Sequence, residues 1–95
     1  MSLVTDIGGD YNPSHVVKKY KDMYYKKGLY VEVSGNQGEY VGEINYTDAS
    51  GNLVNIKSVK RSSKKKAECD VCVFVLLQNN INLEKYKKIR NIQNL

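Results

Sequence analysis

The sequence predicts a mainly β domain, with one N-terminal helix followed by five short strands. Three observations predict it. From Glu39 to Tyr46, apolar Tyr40, Ile44 and Tyr46 alternate with polar Glu39, Glu43 and Asn45, the period of a half-buried strand. Two turn-forming clusters, Gly35-Asn36-Gln37-Gly38 and Asp48-Ala49-Ser50-Gly51-Asn52, bracket that stretch, as expected of connected hairpins. Cys69 to Leu77 is the most apolar segment, with Val71, Val73, Val75 and Leu77 on one face and Cys72, Phe74 and Leu76 on the other.

The elements follow in order. Met1 to Tyr11 has little pattern and reads as a flexible tail; its Gly8-Gly9-Asp10 is not followed directly by a helix, as a phosphate loop would be. Asn12-Pro13 is a helix start. Val16, Val17, Tyr20, Met23 and Tyr24 recur at helical spacing, and Lys26, Lys27 and Gly28 suit a helix end. The spacing predicts a helix from Pro13 to Lys27. His15, the only histidine, reads as a surface residue. Strands are predicted over Leu29–Ser34, Tyr40–Tyr46 and Leu53–Val59. Gly42 falls on the apolar side of the second, where a missing side chain permits a sharp bend or close approach of another backbone. A basic run follows: Lys57, Lys60, Arg61, Lys64, Lys65 and Lys66 around Ser62-Ser63. It suits RNA phosphates or a nuclear import signal, and equally a solvated loop. Cys69–Leu77 predicts a fourth strand apolar on both faces, Gln78-Asn79-Asn80 a turn, and Ile81–Leu83 a short fifth strand. Residues 12–90 form the single domain and 91–95 a C-terminal tail.

The bulk composition narrows the function. Ninety-five residues, 41% hydrophobic with one Pro, make one domain with a modest core. A charge of +5 suits an anionic partner, nucleic acid first, though simple solubility is an alternative. Cys69 and Cys72 are the only cysteines; they exclude a disulfide framework and read as buried and inert, since four zinc ligands are not at hand. No apolar run approaches a membrane span and no signal peptide is evident, so nucleus or cytoplasm is expected, with no membrane partner. No nucleophile–base pair or paired acids point to catalysis, and no metal or cofactor is expected.

Gly42, Asp48, Asn52 and Leu53-Val54 together resemble the first motif of the Sm/LSm family. The second motif is degenerate: Leu76, Leu77, Gln78, Asn79, Asn80 and Ile81 occupy its places, with Leu77 and Gln78 standing where the family has Arg and Gly. Gly51 stands where the family often stacks a side chain on a base. The resemblance implies a strongly bent five-stranded antiparallel Sm-like (SH3-like) barrel capped by the helix. It implies a non-catalytic ring subunit of a ribonucleoprotein complex in splicing or RNA decay. Its implied RNA site is Asp48, Gly51, Asn52, Gln78, Asn79 and Asn80, with Lys64, Lys65 and Lys66 from the basic run. The implied ligand is single-stranded, uridine-rich RNA, and the implied partners are other Sm/LSm subunits paired through Val71, Val73, Val75, Ile81 and Leu83. The alternatives are an Sm-like protein-interaction scaffold of decapping-enhancer or Gemin type without a working RNA site, and an SH3-like or tudor-like barrel with a peptide partner.

Overall fold

The computed structural model describes residues 2–4 and 7–88; the C-terminal tail assigned to 91–95, with Ile89 and Arg90, lies outside the described residues. Strand β1 (Ser2–Val4) leads through a 3-10 turn (Ile7–Asp10) to helix α1 (Pro13–Tyr24) and a second 3-10 turn (Tyr25–Lys27). Strands β2 (Val31–Asn36), β3 (Glu39–Thr47) and β4 (Leu53–Ser58) follow, then helix α2 (Lys64–Gln78) and a last 3-10 turn (Glu84–Tyr86). β2, β3 and β4 form an antiparallel meander, and β1 adds to the outer edge of β4 in parallel, giving the order β1-β4-β3-β2.

Helix α1 forms as its sequence dictates. Pro13 occupies the first turn, and Val16, Val17, Tyr20 and Tyr24 are its buried stripe. Gly28 closes the end with φ +82, a left-handed conformation that glycine adopts without cost. The Tyr20 hydroxyl donates to the Leu29 carbonyl at 2.7 Å, which ties the helix to the chain entering β2. Burial pushes the Tyr20 phenol well above its usual pKa.

The strand alternation also holds. In register, Val31 faces Ile44 and Val33 faces Gly42, while Ile44 faces Ile56. Ile44, Ile56 and Ser58 are buried on that side against the helices. Glu32, Glu43, Asn45 and Asn55 line the opposite, helix-free face.

The barrel implied by the resemblance is not formed. The sheet is open, and among the described residues helices outweigh strands by 45% to 29%, so the fold is not mainly β. The fourth predicted strand, Cys69–Leu77, is the body of α2, and Ile81–Leu83 is not a strand. The reason is local as well as tertiary. Ser63 caps the helix, its Oγ accepting from the Lys66 N–H at 3.2 Å. No Gly or Pro interrupts 64–78, and Lys, Ala, Glu and Leu favour helix. Three valines lower that propensity by only about 0.5 kcal/mol each, which burial outweighs. Ala67, Cys69, Val71, Cys72, Val73, Val75 and Leu76 are all buried, since α2 packs on the sheet, on α1 and on the N-terminal 3-10 turn. A helix covered on most sides carries apolar residues all round, and such a run looks like a strand buried on both faces.

Gly42 permits the closest of these contacts. A Cβ there would lie 2.6 Å from the Ala67 carbonyl oxygen, so α2 rests directly on the backbone of β3. The close approach of a second backbone is observed; the sharp barrel bend is not. Val71, Val73, Val75 and Leu83, expected at an edge between subunits, are buried inside this chain. The fourth and fifth strands that would have paired between ring subunits do not exist.

Candidate nucleic-acid interface

The basic run lies where β4 passes into α2. Arg61 forms an isolated bridge with Tyr40, its N–H donating to the Tyr40 carbonyl at 2.8 Å and its carbonyl accepting from the Tyr40 N–H at 2.9 Å. This pins residues 59–63 beside the start of β3. Lys60 reaches Glu39 at 3.2 Å, and the Lys64 ammonium sits 5.9 Å from the centre of the Tyr40 ring. The β2–β3 hairpin turn is immediately adjacent, since Asn36 pairs with Glu39. Gln37 (φ 48) and Gly38 (φ 85) form its tip.

Lys64, Lys65 and Lys66 are the first three residues of α2 and all are exposed. The Lys66 ammonium meets the Ser62 hydroxyl at 3.2 Å, and Lys65 approaches Glu68 at 3.8 Å. Lys21 of α1 reaches the same Glu68 at 4.0 Å. One surface therefore runs from the hairpin tip across the start of α2 to α1. Arg61 does not join it: its guanidinium turns inward, 3.4 Å from buried Asp70.

The other predicted RNA residues lie elsewhere. Asp48, Gly51 and Asn52 form the β3–β4 turn, at the far end of β3 from the hairpin tip; nine strand residues separate the two turns by roughly 27 Å. Asp48 Oδ1 accepts from the Ser50 and Asn52 N–H groups, both at 2.9 Å, and the Gly51 N–H donates to the Asp48 carbonyl at 3.0 Å. Gln78, Asn79 and Asn80 close α2, about 22 Å along its 15 residues from Lys64. Asn79 Nδ2 donates to the Val75 carbonyl at 2.8 Å, and Asn80 takes φ 61. The Asp48 and Asn79 side chains serve their own turns.

Sequence reasoning missed Lys21, Tyr40 and the capping role of Ser63. The signal was present: a Ser followed by fifteen residues without Gly or Pro is a helix start. Ser63→Ala is expected to cost about 1 kcal/mol, read as a lower urea midpoint with an unchanged slope; an unchanged midpoint would remove the cap.

The helix-free sheet face is polar and partly acidic. Glu32 stands directly opposite Glu43. Hydrogen bonds from Asn55 and Asn45 hold the Glu43 carboxyl below its usual pKa, so it is ionised. A third surface, between α1 and the last 3-10 turn, gathers His15, Lys18, Lys19 and Tyr86, with Lys18 paired to Asp22 at 3.2 Å.

Cys69 and Cys72 are both fully buried in α2. Burial pushes the Cys69 thiol up to about 12 and raises Cys72 well above its ordinary value. Being one helical turn apart they share a side, rather than pointing apart as strand residues would. Among the described residues no group of three or more His, Cys, Asp or Glu is placed to hold a metal ion. Raised folded-state pKa values set the sign of a pH effect. The unfolded thiols ionise first, so their stabilising contribution is complete below about pH 8.5 and declines as pH rises toward the folded-state values. Urea unfolding under reducing conditions should show stability falling between pH 8.5 and 10.5; a flat profile over that span would contradict the burial of both thiols.

No family model, no curated protein and no solved structure matches this chain. Among the described residues no helix is long and apolar enough to cross a membrane.

Proposed function

We propose that this chain is a non-catalytic RNA-binding module that holds the backbone of double-stranded RNA. The observation that carries the reading is the first turn of α2, which contains Lys64, Lys65 and Lys66 and no acid. A helix N-terminus carries the positive end of the macrodipole and favours carboxylates over ammonium groups. Three cations there oppose the helix's own stability. A phosphate at that position would meet the dipole, the first-turn amides and the lysines together.

The sheet argues for a duplex rather than the single strand expected from sequence. Proteins that track single strands stack bases on aromatic side chains. The strand residues of the helix-free face, Glu32, Glu43, Asn45, Asn55 and Lys57, include no aromatic, and the exposed Tyr30 ring beside Glu32 and Asn45 is too little to stack successive bases. Duplex RNA is recognised by shape, through phosphates and 2′-hydroxyls. The hairpin tip, the start of α2 and the outer side of α1 supply separated contacts on one surface for such a ligand.

Fluorescence anisotropy with a blunt RNA duplex, the equivalent DNA duplex and a uridine-rich single strand tests the reading. The RNA duplex should bind most tightly, with affinity falling steeply as salt rises. Replacing Lys64, Lys65 and Lys66 together by Ala should flatten the log–log salt slope by about two to three units. The same variant should melt at or above the wild-type temperature, because removing cations from a helix N-terminus and adding Ala both favour the helix. Equal binding by the triple variant would refute the site. No RNA binding at low salt would leave the protein-interaction scaffold as the better account.

A further inference from the structure

Asp70 is a charged residue in the middle of α2, 0% exposed and set among buried Cys69, Val71 and Val73. A carboxylate in such surroundings is costly, and an apolar residue of similar size is often the more stable choice. Its two oxygens reach two different parts of the chain. Oδ1 accepts from the Gly8 N–H at 3.1 Å, and Oδ2 lies 3.4 Å from the Arg61 guanidinium. Gly8 has no room for a side chain: a Cβ would come within 2.6 Å of that same Oδ1. Arg61 is held by its backbone to Tyr40 on one side and by its side chain to Asp70 on the other. It is the midpoint of the connector that places Lys60 on one side and Lys64 to Lys66 on the other.

We propose that Asp70 is a positioning residue for the phosphate-binding end of α2. By anchoring Arg61 from inside the core, it sets where the connector and the first turn of α2 present their lysines. Through Gly8 it couples that placement to the N-terminal segment. The proposal rests on the RNA-binding reading above, but its structural half stands separately.

The test is Asp70→Asn, which removes the charge and keeps an oxygen able to accept from Gly8. Electrostatics alone would make this variant bind RNA more tightly, because it gains net positive charge. Positioning predicts the opposite. Affinity for the RNA duplex should fall, with a salt slope flatter by about one unit as one phosphate contact is lost. Partial unfolding would instead lower affinity by one factor at every salt concentration and leave the slope alone. Amide hydrogen exchange supplies a readout independent of RNA: protection should drop across residues 59–66 while β3 keeps its own. If Asp70→Asn does not fold, Asp70→Asn with Arg61→Gln removes both buried charges, and the same two measurements apply to it. Wild-type slope and affinity with unchanged exchange in the connector would overturn the proposal. If the wild-type protein binds no RNA, the RNA reading fails, and exchange alone decides whether Asp70 positions the connector.

Discussion

Gly42→Val is expected to lower the melting temperature by about 12 °C or more, corresponding to a loss of about 3 kcal/mol. The cause is the 2.6 Å separation between a Cβ at this position and the Ala67 carbonyl oxygen. That oxygen belongs to the backbone of α2, so relief cannot come from rotating a side chain. Either the helix lifts from the sheet, or β3 bends away and strains the Gly42 N–H bond to Ser58 Oγ, 2.8 Å long. Both movements open the layer holding Ile44, Ile56 and Val71. Gly42→Ala already carries the clashing atom and should show much of the effect. Circular dichroism melts of the two variants check this, and a valine variant that melts with the wild type would mean that α2 does not lie on this strand.

Val73→Asp is expected to abolish stable folding. Val73 is 0% exposed in α2, and an unpartnered buried carboxylate costs about 4 kcal/mol or more. That is a large share of the total stability of a small domain, which starts at about 5 kcal/mol. The contrast with Asp70, three residues earlier, is informative. Asp70 is equally buried but meets Gly8 and Arg61, whereas Val73 belongs to the apolar cluster with Val16, Tyr20 and Leu76. The same side chain is tolerated at one position and excluded at the other because of its surroundings, not its helix. Far-ultraviolet dichroism and urea unfolding read the outcome; a cooperative transition near the wild-type midpoint would place Val73 outside the core.

The parts of the fold legible in the sequence are those whose signals are local. Asn12-Pro13 and Gly28 bracket α1, and its apolar stripe repeats at 3.6 residues because the other side faces water. β3 alternates because its Glu43 and Asn45 side is open while its Ile44 side is covered. The turns at 35–38 and 48–52 announce themselves through Gly, Asp and Asn. The candidate site was half legible. Charge alone marks Lys64 to Lys66 for phosphate, whereas the helix dipole beneath them follows only from α2 starting at Lys64. Of the asparagines at 52, 79 and 80, Asn79 spends its side chain on the Val75 carbonyl, and all three lie in turns away from the start of α2.

The sequence by itself determined α1, the three-stranded meander, the side of β3 that is buried and the concentration of cations ahead of residue 67. Ser63 and the lack of Gly and Pro in 64–78 favour a helix locally, but only the tertiary structure decided how that helix is covered, that the sheet stays open and that Ser2–Val4 runs beside β4. Periodicity reports secondary structure only when one face is exposed. Residues 67–76 are covered by α1, by β3 and β4 and by the turn around Gly8, so their pattern has no polar face from which to read a period. What adds to the Ser63 cap and local propensity there is contact with residues far away in sequence: the bare backbone at Gly42, the stripe of α1 and the Gly8 N–H that meets Asp70.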